Sequence, residues 1–130
     1  MNHPEQTLQE QLTYWLNGQL TAEGTRILWC ASAGGMRVNM RTAINMKKAG
    51  YKAGHPDVII YEPRAGWHGM TVELKVGSYP SAEQKEWRTK LFEHGYYAIT
   101  IPGRLDFWEA RKWLEDQIKR YLAGEIKRGE

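Results

Sequence analysis

The residues whose types and spacing point to chemistry lie in two short runs, Gly54-His55-Pro56-Asp57-Val58-Ile59-Ile60 and Val72-Glu73-Leu74-Lys75. Asp57 stands at the mouth of a run whose next residues are all apolar. In the second run a period of two puts Glu73 and Lys75 on one face, with Val72, Leu74 and Val76 on the other. If the two runs pair as a hairpin, Asp57 falls beside Glu73. Two carboxylates at a sheet edge, with water and phosphate oxygens completing the sphere, suit Mg²⁺ or Mn²⁺. A lysine one strand step away can orient or deprotonate an attacking water and stabilise charge on the phosphate. Glu-x-Lys alone is an ordinary solvated strand face. The specificity comes from an Asp after Gly-x-Pro that opens an apolar strand, with Glu-x-Lys on the next one.

The elements that must position these side chains follow from periodicity and punctuation. Residues 4–17 carry Leu8, Leu12, Trp15 and Leu16 at helical spacing, with Asn17-Gly18 as a stop. Residues 26–31 suit a strand, Ser32 to Gly35 a turn, and 37–49 a helix ending at Gly50. Val58–Tyr61 and Met70–Val76 read as strands, joined by a loop with one Pro and two Gly. A helix is expected from Ala82 to His94 with Ser81 as N-cap, a strand over 97–101, and a last helix from near Asp106 to about Ala123. A hairpin followed by a strand–helix–strand crossover predicts an α/β chain with a mixed central sheet flanked by helices, arranged as one domain over 1–130.

Two further polar residues face inward on this reading. At about 100° per residue, Glu5 lies about 20° from Leu12 on the first helix, and Glu10 about 160° away. A carboxylate on a buried face is costly unless it meets a cation or hydrogen-bond donors. Gln84 completes a Ser81-x-x-Gln84 capping box, and it also precedes Trp87 and Leu91 by three and seven positions, which turns it toward the interior. Cys30, with Ile27, Leu28 and Trp29 beside it, is expected to be a small buried hydrophobe. Trp15, Trp87 and Trp113 are expected in the core. Trp67 and Tyr79 are placed in loops near the site, free to stack on unpaired bases. His55 is read as a turn residue within reach of a metal-bound water.

Charge layout indicates the partner. The formal charge is only +3, from 18 bases and 15 acids. Residues 25–56, however, carry six bases (Arg26, Arg37, Arg41, Lys47, Lys48, Lys52) and no acid. On a helix over 37–48, Arg37, Arg41 and Lys48 fall within about 40° of one another, with Lys47 and Lys52 flanking, a stripe suited to a phosphate backbone. No apolar run approaches the roughly 18 residues of a membrane span. The N-terminus has neither a basic start nor an apolar core of a secretory signal. One cysteine makes no internal disulfide and no zinc cluster. The setting reads as cytoplasmic, in a bacterial or phage-type protein.

Pro56-Asp57 followed by Glu73-Leu74-Lys75 resembles the PD-(D/E)xK nuclease signature, and the longer string is similar to its VRR-NUC branch. The residues carrying that resemblance are Glu5-Gln6-Thr7-Leu8-Gln9, Gly34-Gly35-Met36-Arg37, Gly54 to Ile60, Glu73 to Lys75, Ser81-Ala82-Glu83-Gln84 and Gly95-Tyr96, in order along nearly the whole chain. The chain departs from the branch at Ala33-Gly34, where many members have Asn-Gly. The resemblance implies a restriction-endonuclease-like core and metal-dependent hydrolysis of DNA phosphodiesters. It places Asp57 and Glu73, with Glu5, at Mg²⁺ or Mn²⁺, makes Lys75 the water-positioning lysine, and brings Gln84 to the site. Short stand-alone members resemble homodimeric enzymes of branched DNA such as four-way junctions, whose symmetry suits a two-fold dimer. The other readings are a flap nuclease, a sequence-selective endonuclease of restriction or homing type, and a non-catalytic DNA-binding module.

Overall fold

The computed structural model describes residues 3–32 and 38–129. In chain order the elements are α1 (Pro4–Asn17), β1 (Trp29–Ala31), α2 (Met40–Lys48), β2 (Val58–Ile60), β3 (Gly69–Glu73), α3 (Ala82–Glu93), β4 (Tyr96–Thr100) and α4 (Phe107–Leu122). The four strands form one mixed sheet in the order β1-β2-β3-β4, flanked by the helices. β1 and β2, and β2 and β3, pair antiparallel, whereas β3 and β4 are parallel. The parallel pair is joined through α3, which is the crossover that parallel strands require.

The expected element order holds, and the differences at element ends have local causes. α2 begins at Met40 because the Asn39 side chain accepts a hydrogen bond from the Thr42 N–H at 2.8 Å and caps the helix there. β1 shrinks to three residues at the sheet edge. Arg26, expected in that strand, forms an isolated bridge with Leu20, and its guanidinium donates to the Asn17 carbonyl. β3 stops at Glu73, so Lys75 lies just past the ladder. α3 and α4 both carry complete capping boxes, Ser81 with Gln84 and Asp106 with Glu109.

Period two divides the sheet cleanly. Val58, Ile60, Met70, Val72, Leu74, Ile99 and Ile101 face a core completed by Leu8, Leu12 and Leu16 of α1 and by Phe107, Ala110, Leu114, Ile118 and Tyr121 of α4. Tyr121 is fully buried, and its phenol donates to the Glu62 carbonyl at 2.6 Å. Residues paired across a ladder share a face, and the alternate set is Cys30, Ile59, Thr71, Glu73, Ala98 and Thr100. Thr71 and Glu73 are buried there, but Cys30 is exposed. The expected burial of Cys30 is therefore wrong: Ile27 and Trp29 turn to the core, whereas Cys30 lies on the opposite face of a short edge strand and Leu28 is exposed too. Trp67 is a second correction. Its indole is buried in the core cluster and donates to the Ile126 carbonyl at 2.8 Å, in the loop at the far end of the hairpin from Asp57, so it presents no ring for a base.

Candidate active site

The antiparallel β2–β3 register pairs Val58 with Val72, and the Asp57 N–H donates to the Val72 carbonyl at 3.0 Å. One step further, Asp57 and Glu73 come side by side with their carboxyl groups in hydrogen-bonding contact. Asp57 Oδ2 also accepts the Leu74 N–H at 2.7 Å, which fixes that carboxyl against the end of β3. Thr100 lies opposite Glu73 in β4. The pair thus sits where β2 begins and where the parallel strands β3 and β4 end.

Electrostatics make this a strained place for two acids. Glu73 is only 7% exposed. Burial, followed by the neighbouring charge of Asp57, pushes its carboxyl up to about 9, against the pull of Lys75. Burial also raises Asp57, although the Leu74 N–H and the contact with Glu73 hold it down in part. The charge of Glu5 adds to the rise of both groups. Without a cation the pair is best satisfied by sharing a proton.

The donor set fits a hard divalent cation: two carboxylates side by side at the ends of the central strands, in a field that disfavours their charge. Among the described residues no three His, Cys, Asp or Glu side chains converge closely enough to form a complete metal cage. Glu5 explains why. It is half-buried on the inner side of α1, as its helical angle predicts, and Glu10 is exposed. Its Oε1, however, accepts from Ser78 Oγ at 2.7 Å and from the Val76 N–H at 3.3 Å. Glu5 is thereby tied to the segment after β3, near enough to act on the pair by its charge.

Gln84 makes two contacts at once. Its Oε1 accepts the Ser81 N–H at 2.8 Å in the capping box, and its Nε2 donates to Glu73 Oε1 at 2.7 Å. The half-buried face of α3 consists of Gln84, Trp87 and Leu91, the spacing expected from sequence. Trp87, expected in the core, is instead half-buried and outside the core cluster. Its indole N–H donates to the Ala53 carbonyl at 3.1 Å, and its ring meets His55 edge-on at 5.1 Å. His55 Nδ1 in turn lies 3.0 Å from the Pro56 carbonyl, as a turn residue would. α3 therefore clamps the loop that delivers Asp57. Sequence reasoning missed Trp87 and Ser78 as supports. Trp87 shares a face with Gln84, which is a usable signal, whereas nothing in the spacing marks Ser78.

Gly54 makes that clamp possible. Its φ of +84° is a backbone conformation that L side chains rarely adopt, and a Cβ there would run into the Glu83 backbone. Gly54→Ala is expected to cost at least about 2 kcal/mol, from the left-handed strain and the displaced helix end together. Urea unfolding should show the midpoint falling with an unchanged slope.

The basic block is only partly assembled. Arg41, Lys47, Lys48 and Lys52 are all exposed and without an ion pair among the described residues. α2 buries none of its residues. Arg37 lies outside the described residues, as do Gly34, Gly35 and Met36, and it falls before the Asn39 cap. Of the expected three-residue stripe, Arg41 and Lys48 lie within the described helix α2. Lys47 and Lys48 also occupy the last turn of α2, where cations complement the helix dipole. No described helix is long and apolar enough to cross a membrane.

No family model matches the chain, and no curated protein matches it. Among solved structures, a VRR_NUC domain protein is similar with a TM-score of 0.68 and 27% sequence identity, covering 88% of this chain and 88% of that one. The mixed-sheet topology and this likeness show a nuclease-type α/β fold that resembles the VRR-NUC domain.

Proposed function

We propose that the chain is a metal-dependent DNA endonuclease that hydrolyses phosphodiester bonds in branched DNA such as four-way junctions. The observation that carries this reading is the Asp57–Glu73 carboxyl pair, half-buried and buried respectively at the strand ends and in contact, with Lys75 acting on both and Gln84 bonded to Glu73. Asp57 and Glu73 would hold Mg²⁺ or Mn²⁺, and Glu5 adds negative charge behind them. When bound, the metal supplies charge neutralisation at the phosphodiester as the water oxygen attacks phosphorus. Lys75 orients that water and donates to the phosphate oxygens. Gln84 holds the Glu73 carboxylate in one orientation, because its amide is itself fixed by the capping box. The exposed bases Arg41, Lys47, Lys48 and Lys52, with Arg37, contact the DNA backbone and set affinity without reading sequence.

A substrate panel of four-way junction, flap, linear duplex and single strand, with Mg²⁺ or Mn²⁺, tests this. Cutting confined to branched substrates is expected. A restricted set of cuts on linear duplex would favour the sequence-selective alternative, and binding without cleavage at any metal concentration would favour a DNA-binding module. A junction exposes two symmetry-related strands, so a homodimer is expected, and a monomeric mass at micromolar concentration would contradict it.

A further inference from the structure

We propose that a groove along the outer edge of β4 seats single-stranded DNA running on from the cleavage site, an inference that rests on the nuclease reading. β4 is the last strand of the sheet, and among the described residues its outer edge is unpaired. A cavity of about 1000 Å³ lies along it, floored by Tyr97 to Ile101 and walled by α3 on one side and the 102–104 segment on the other. Lys85 and Arg88 stand on the first wall and Arg104 on the second, against one lining acid, Glu93. None of the three bases lies within 4.0 Å of a described acid, whereas Lys90 on another face of α3 is paired with Glu86 at 2.7 Å. Two aromatic side chains line the same groove and remain open: Tyr79 is 73% exposed and Phe92 is 56% exposed.

Unpaired cations on both walls with open aromatic faces between them are what a single strand uses, phosphates on the bases and nucleobases on the rings. A neutral or basic peptide strand adding to β4 would leave those charges unmatched. The groove is also continuous with the site. Thr100 on its floor is opposite Glu73, and Gln84, bonded to Glu73, immediately precedes Lys85. Lys85, Arg88 and Phe92 follow i, i+3, i+7 and so form one stripe of α3, adjacent to the half-buried stripe of Gln84, Trp87 and Leu91, from which Gln84 reaches Glu73. A flap or splayed arm would gain contacts here that a fully paired junction lacks.

The test is binding of a fluorescent 15-residue oligothymidylate and a 15-base-pair duplex by anisotropy in EDTA, over a range of salt. The double variant Arg88→Ala/Arg104→Ala should weaken oligothymidylate binding and lower the steepness of log K against log salt by about 1.4, two phosphates at about 0.7 each. Tyr79→Ala and Phe92→Ala should each weaken it about ten-fold with the salt slope unchanged. Lys119→Ala, on the side of α4 that meets Trp15 of α1 and not among the groove-lining residues, should alter neither. The proposal is overturned if the wild-type chain does not bind the oligonucleotide, if the groove variants bind it as the wild type does, or if they lose the duplex equally. All four groove side chains tested are solvent-facing, and unchanged melting temperatures show that each variant folds. The readout needs no cleavage. A chain that cuts nothing but shows these binding losses would end the nuclease reading and keep the groove; intact cleavage with unaltered oligonucleotide binding would do the reverse.

Discussion

Glu73→Ala should slow cleavage of branched DNA by ~10³-fold or more under single-turnover conditions with saturating Mg²⁺, while the protein melts no lower than the wild type. The two halves of this expectation come from one property. Glu73 is buried, its carboxyl is driven up to about 9, and it is held by Asp57 and Gln84. A side chain in that state contributes little to folding, because its desolvation offsets its hydrogen bonds. Removing it leaves Asp57 without the carboxylate that completes the metal-binding pair. Lys75→Ala should cost about 10²–10³-fold by losing water orientation and phosphate contact, with metal binding retained. The double variant should be little worse than Glu73→Ala alone, since residues acting on one transition state are not additive. Isothermal titration with Mn²⁺ separates the roles: Glu73→Ala loses the heat of binding and Lys75→Ala keeps it. Undiminished cleavage by both variants would remove the assignment.

Much of this arrangement is legible in the residues because it rests on local rules. Ser81-x-x-Gln84 specifies both the start of α3 and the direction of the Gln84 amide, and both appear in the fold. The apolar alternation of β3 fixes which face Glu73 takes, and the loop from Glu62 to Gly69 sets a register that leaves Asp57 beside it. The helical angle of Glu5 separates it from Glu10 for the same reason. What local rules miss depends on tertiary position. Cys30 follows an apolar run and Trp67 sits in a loop of Pro, Gly and polar residues, yet the first lies on an exposed edge strand and the second is buried under the C-terminal segment through Ile126. The partners of Glu5, Ser78 Oγ and the Val76 N–H, are more than 70 positions away in the chain. Such contacts follow from how α1 crosses the end of the sheet, which no periodicity encodes. The basic residues of α2 stand out by composition, whereas the helix start that the Asn39 cap fixes at Met40 does not.

Metal-free protein should lose thermal stability as pH rises, and divalent metal should restore it. Glu73 titrates near its ordinary 4.5 in the unfolded chain and at about 9 in the folded one. Between those values the folded state binds more protons than the unfolded state, so the free energy of unfolding falls with rising pH, by at most about 1.4 kcal/mol per unit for one group. Asp57, raised in the same direction by burial, adds a loss of the same sign at the acidic end of the window. The melting temperature in EDTA should therefore decline from about pH 5 toward pH 9, levelling once Glu73 is ionised in both states. Glu73→Gln removes the titrating group but keeps the shape and the Gln84 neighbour, so its profile should be flatter and its melting temperature at pH 8 higher than that of the wild type. Added Mg²⁺ or Mn²⁺ meets both carboxylates in their charged form and stabilises the folded state by mass action, about 2.7 kcal/mol at a hundred times the dissociation constant. That gain should grow with pH, because protons and metal compete for the same oxygens, and it should be absent in Glu73→Gln. Thermal melts at half-unit pH steps, with EDTA or with 10 mM MgCl₂ as the metal arm, read both effects. A wild-type melting temperature in EDTA that is level or rising from pH 5 to pH 9 would show that the two carboxyls are not held together as the fold places them.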